Sequence, residues 1–179
     1  MARTFWMATA TSLVLLTGAV SAAEPPLAGC YERVYDAAHL SAHKGQFVVR
    51  ATLAITETKS FAAPKVADAA LKLWVRGKAK SFDSTGVCTA KGDTLNCVGS
   101  LSAAEDTTCK SKRDGLRQCR INSADAGGFK VEGKPEGVLM SIPARLELLQ
   151  DPYDIGPYLN VSASNVENRA FLLKKTACP

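Results

Sequence analysis

From Gln46 onward, apolar side chains recur at alternate positions in short runs broken by glycine- and proline-bearing turns. Phe47, Val49, Ala51, Leu53 and Ile55 form one run, and Leu71, Leu73 and Val75 form another, with Lys72, Trp74 and Arg76 between them. A period of two sends neighbouring residues to opposite faces of a strand, so each run predicts a half-buried β-strand. Further short strands are expected at Gly86–Ala90, Leu95–Leu101, Leu116–Asn122, Gly128–Glu132 and Gly137–Ile142, then at Arg145–Leu149, Tyr158–Ala163 and Ala170–Lys174. Turn signals separate them at Lys91-Gly92-Asp93, Asp114-Gly115, Ala126-Gly127-Gly128 and Pro135-Glu136-Gly137. Many short strands at this spacing predict a mainly β fold, an antiparallel small barrel or sandwich. Helices of crossover length do not recur between the strands, which argues against a parallel α/β sheet.

One helix candidate precedes the strands, within Tyr31 to Lys44. Asp36 can cap a run from Ala37 to Lys44, and Gly45 ends it. A brief helical turn after Pro64, within Ala62 to Leu71, is also allowed.

The first residues read as an export signal. Arg3 supplies the positive start, Leu13 to Val20 supply most of an apolar core, and Ser21, Ala22 and Ala23 supply a small-residue cleavage site. A membrane-spanning helix wants roughly 20 predominantly apolar residues, and this stretch is diluted by Thr, Ser, Gly and Ala. The expected organisation is therefore a signal peptide at 1–23 and a single exported β-rich domain at 24–179, periplasmic or secreted, with no transmembrane span in the mature chain. Leu27-Ala28-Gly29-Cys30 also has the form of a lipoprotein box, anchoring the chain through Cys30. Glu24, Pro25 and Pro26 interrupt the signal just before it, and acylation would leave an odd number of cysteines.

The six cysteines, Cys30, Cys88, Cys97, Cys109, Cys119 and Cys178, fit an exported domain stapled by disulfides. No two of them have the CxxC spacing of a zinc or redox motif. Six cysteines allow fifteen pairings. Cys30 with Cys178 would close nearly the whole domain into one loop. Cys88 with Cys97 and Cys109 with Cys119 would each lace a hairpin, while a crossed arrangement would join the two hairpins.

The net charge is +5, and loss of Arg3 would lower it by one. The basic residues are densest at Lys110, Lys112, Arg113, Arg117 and Arg120, where no aromatic side chain interleaves them. Base stacking has no support there, so nucleic acid is not the expected partner. The stretch from Gln150 to Tyr158 gathers Pro152, Tyr153, Pro157 and Tyr158, and makes Tyr153 and Tyr158 candidate binding residues or packing residues of a strand connector.

For chemistry, the sharpest constellation is His39 and His43, one helical turn apart and able to act as a two-ligand metal clip. An earlier helix start would add Glu32 and Asp36 to that stripe. Leu40 stands where an HExxH motif would carry its glutamate, and histidines late in a helix are favoured by its dipole without any ligand. No GxSxG elbow, Walker loop or GxGxxG loop is present. No cofactor is implied.

The opening Cys30-Tyr31-Glu32-Arg33-Val34-Tyr35-Asp36-Ala37-Ala38-His39-Leu40, followed by His43, resembles a group of exported proteobacterial proteins with a C-Y-x-R-x-Y-D-A-A-H-L-x-x-H opening. Gly127-Gly128-Phe129 and the Phe171 to Cys178 tail are similar to that group's later elements, and the surroundings of Cys109 look like an insertion. The resemblance implies an envelope location and no mechanism. The expected function is a periplasmic binding or structural module for a protein or envelope component, inhibitor-like in one version. The alternatives are a metal-dependent enzyme using His39 and His43, or a carrier of a small apolar ligand.

Overall fold

The alternation closes on itself. A computed structural model describes residues 27–58, 65–100, 126–150 and 157–179. Its strands are β1 (Gly29–Val34), β2 (Val48–Glu57), β3 (Lys65–Val75), β4 (Phe82–Lys91), β5 (Thr94–Ser100), β6 (Gly128–Lys134), β7 (Gly137–Ser141), β8 (Arg145–Leu149), β9 (Tyr158–Ser162) and β10 (Ala170–Thr176), with one helix, α1 (Ala37–Ala42), after β1. The hydrogen-bonded order runs β3-β2-β1-β10-β7-β6-β5-β4, and β3 pairs with β4, so eight antiparallel strands form a closed barrel. Closure leaves those eight strands without an open edge. The β8–β9 hairpin is inserted between β7 and β10 and hangs from β4 through the Asp83–Leu149 pair.

Alternate residues of every barrel strand point inward. Leu53, Ile55, Leu71, Leu73, Leu95, Phe129, Met140 and Phe171 are fully buried and occupy the interior, with Ala51, Ala67 and Ala69 between them. The inward faces of β4 and β5 meet at Cys88 and Cys97, which sit directly opposite in the ladder and form a disulfide with their Cα atoms 4.0 Å apart. A second disulfide joins Cys30 of β1 to Cys178, just past β10. Such bridges are consistent with an extracellular or periplasmic compartment. Cys109 and Cys119, the basic cluster and the expected strand Leu116–Asn122 lie outside the described residues.

Four local expectations change. Residues 29–34, placed before the helix, form β1 instead, because Tyr31 buries its ring in the core while β2 and β10 pair along both sides. The helix keeps its Asp36 cap, whose side chain accepts from the His39 N–H, but it ends at Ala42. Where a helical turn was allowed, residues 65–70 belong to β3, since Ala67 and Ala69 continue the inward alternation of Leu71 and Leu73. Finally, Val48 takes the inward place expected for Val49. A register shift between Val48 and Arg50 inserts Val49 as an extra residue, and alternation resumes at Ala51.

The barrel's two ends differ. One carries the tight turn at Gly92 and the turn between β6 and β7. The other is covered by α1, by the β8–β9 hairpin and by residues 163–169. There Gly127 carries φ +81, and a side chain at that position would collide with the Arg145 carbonyl. Leu146 packs into the space left by Gly99. Together these glycines let the hairpin lie close on β5 and β6.

Candidate functional site

Two places gather side chains with chemistry to offer, one at the covered end and one on the outer wall. At the covered end, Tyr35, His39 and His43 form a continuous stack. The Tyr35 and His39 ring centres are 4.7 Å apart, and those of His39 and His43 are 4.3 Å apart. Arg33 lies over the Tyr35 ring, 5.0 Å from its centre. One nitrogen of each histidine is taken by the protein. His39 Nε2 is 2.9 Å from Gln46 Oε1, and His43 Nδ1 is 3.3 Å from Glu167 Oε1. Burial pushes the Tyr35 phenol above its ordinary value, against the opposing pull of its Gln46 hydrogen bond and of Arg33.

The stack runs along one side of α1 from Tyr35, just before the Asp36 cap, to His43 at the C-cap, with successive rings four residues apart. Glu32 does not join it, because β1 carries Glu32 to the outer wall and into an ion pair with Arg50. Among the described residues no group of three or more His, Cys, Asp or Glu side chains is placed to hold a metal ion. What the stack visibly does is mechanical. Through Gln46 and Glu167 it ties α1 to the start of β2 and to the segment before β10, and Arg76 Nη2 adds bonds to the carbonyls of Leu40 and Gln46.

Of the candidate binding tyrosines, Tyr158 opens β9 and is 38% exposed, whereas Tyr153 lies outside the described residues.

The outer-wall site is a groove of about 450 Å³ running over β1, β2 and β3. Its floor follows from strand register. Cys30, Ala54 and Ala70 lie in one row across the three strands, and Glu32, Thr52 and Lys72 lie in the next. Arg50 and Trp74 pair in the row beyond. Two alanines side by side, where longer side chains would raise the wall, leave a hollow with an apolar base. Residues 176–179, drawn back to β1 by the Cys30–Cys178 bridge, form one bank.

At the opposite end the Arg50 guanidinium stacks on the Trp74 ring, 4.5 Å from its centre, and donates from Nε to Glu32 Oε1 at 2.6 Å. Lys72 pairs with Asp83 at 3.1 Å. The bulge at Val49 is what aims Arg50 here. Uninterrupted alternation from Val48 would have turned Arg50 toward the core.

Trp74 was already assigned to the outward face by the alternation of β3, as was Lys72. Arg50 and the small-residue floor were missed. The signal for the floor was present in Ala54 and Ala70, but their adjacency depends on strand register, which no local pattern states. Comparisons with protein-family models, with curated proteins and with solved structures find no match for this chain.

Proposed function

We propose that this chain is an exported binding module that works through the groove on the outer wall of its barrel. The observation that carries the reading is where space lies. Large apolar side chains occupy the barrel interior, whereas a hollow with an apolar floor, a tryptophan wall and a few polar groups lies outside it. An apolar floor with sparse, directed polar groups is the usual make-up of a small-molecule site, and the volume falls in the ~300–1,000 Å³ range of such sites. Cargo carried inside the barrel would have to displace Phe129, Phe171 and their neighbours. Export rests on the leader and agrees with the two disulfides.

The test is native mass spectrometry of the exported protein after incubation with an extract of its own cell envelope. Wild type is expected to carry an added mass that Ala70→Trp, which fills the floor from the solvent side, does not. An added mass retained by Ala70→Trp would overturn the assignment of the groove.

A further inference from the structure

The groove has a direction as well as a volume, and the inference drawn from it rests on the binding reading above. Arg50 and Ala54 lie four residues apart along β2, which at ~3.3 Å per residue makes the path from the guanidinium to the alanine floor roughly 13 Å long. One end offers hydrogen-bond donors and the other offers methyl groups.

At the donor end, the guanidinium is held in place on two sides. The Trp74 ring fixes its plane, and Glu32 takes the Nε edge. Neither Nη group has a hydrogen-bond partner among the described residues. A planar guanidinium bound at Nε keeps its terminal pair of N–H groups as a fork, which matches a carboxylate in bidentate fashion. The charges around it lean the same way. Across the outer face, Lys174, Glu32, Thr52, Lys72 and Asp83 stand in one continuous row, and with Arg50 this makes three cations to two acids. At the other end, Ala54, Ala70 and the disulfide form a floor that hydrogen-bonds to nothing.

We propose that the groove binds a single-chain amphiphile with an anionic head. The carboxylate sits on the Nη fork of Arg50, and the alkyl chain lies along Thr52, Ala54 and Ala70 towards the Cys30–Cys178 bridge. Glu32 and Trp74 act as positioning residues for Arg50.

Tryptophan fluorescence reads this directly. Trp6→Phe leaves Trp74 as the only tryptophan, whether or not the leader is removed. In that background, dodecanoate below its micelle concentration is expected to shift Trp74 emission saturably. Dodecanol, with the same chain and no charge, is expected to bind about tenfold more weakly, the scale of one good charge-assisted contact. Arg50→Met should remove that difference, and Ala70→Leu should weaken both ligands while leaving the melting temperature unchanged.

Equal binding of dodecanoate and dodecanol, or a preference that survives Arg50→Met, would overturn the anionic-head assignment and leave the groove reading standing. Binding unaffected by Ala70→Leu and by a second floor variant, Ala54→Leu, would place the ligand elsewhere and overturn both. Absence of any binding by either probe would overturn the amphiphile assignment, with the envelope-extract experiment deciding the groove separately.

Discussion

The side-chain oxygen of Asn168 accepts a 3.0 Å hydrogen bond from the backbone N–H of Val48, a residue 120 positions earlier in the chain. The same oxygen accepts from Phe47 N–H at 3.0 Å, while its amide nitrogen donates to the Gly45 carbonyl and to Asn165 Oδ1. Asn168 is fully buried, and every one of these bonds replaces water it no longer reaches. It acts as a clamp between the start of β2 and the segment that feeds β10.

Replacing Asn168 by Ala leaves two N–H groups without an acceptor at the barrel end. At about 1–3 kcal/mol for each stranded group, the expected loss is about 2–6 kcal/mol in chemical denaturation. Asn168→Asp should also destabilise, because a carboxylate oxygen would then face the Gly45 carbonyl. A loss of under about 0.5 kcal/mol for the alanine variant, the range of ordinary surface substitutions, would remove the clamp from this account.

The two described disulfides should differ in how they open. Cys88 and Cys97 are sealed in the barrel interior, whereas Cys178 is exposed beyond the end of β10. A thiolate reductant must reach a sulfur to attack it, so mild reduction of the folded protein is expected to open Cys30–Cys178 first. Alkylation of the released thiols and peptide mapping give the order. Early labelling of Cys88 and Cys97 would mean that the barrel opens locally at β4–β5. The Cys30–Cys178 bridge spans 148 residues, so the Cys30→Ala, Cys178→Ala pair should lose up to about 5 kcal/mol on the chain-entropy model.

The strands were legible where inward and outward residues alternate cleanly, as at Leu71, Lys72, Leu73 and Trp74, while the first half of β3 and the first four residues of β4 were not assigned to strands. What failed was information the local pattern does not contain. β1 has no clean alternation, since Cys30 and Tyr31 are both buried, one covered by Cys178 and the other packed in the core. The Val49 bulge was invisible because Phe47, Val48 and Val49 are all apolar, so either phase of the strand reads equally well. The helical pair His39 and His43 was legible as a pair, but its partners Gln46 and Glu167 come from β2's approach and from the far end of the chain. The groove is legible only once register sets Ala54 beside Ala70.

Gly127→Ala tests the junction that holds the β8–β9 hairpin. Its φ of +81 is a left-handed value, and an added methyl group would meet the Arg145 carbonyl. Both effects act where Gly127 bridges Leu146. We expect the variant to keep the barrel and loosen the hairpin, seen as faster amide exchange in β8 and β9 than in β2 and β3. Uniform exchange across all strands would show instead that hairpin and barrel open as one unit.

Alkaline pH offers a separate test of the Tyr31 and Tyr35 environments. Burial raises both phenols above their ordinary value near 10, and for Tyr35 this outweighs its Gln46 bond and the nearby Arg33. The neutral form is the one the fold favours. The stability so gained is complete below the unfolded-chain value and is lost as pH climbs from about 10 towards the raised folded values, because the unfolded chain ionises first. Melting temperature should therefore fall above about pH 10, and the fall should be shallower in Tyr35→Phe and in Tyr31→Phe. Tyr31→Phe also gives up the bond from its hydroxyl to the Leu27 carbonyl, so its melting temperature should start lower at neutral pH while its alkaline slope is reduced. Parallel curves for wild type and both variants across that window would show that these phenols ionise as readily in the fold as in the unfolded chain.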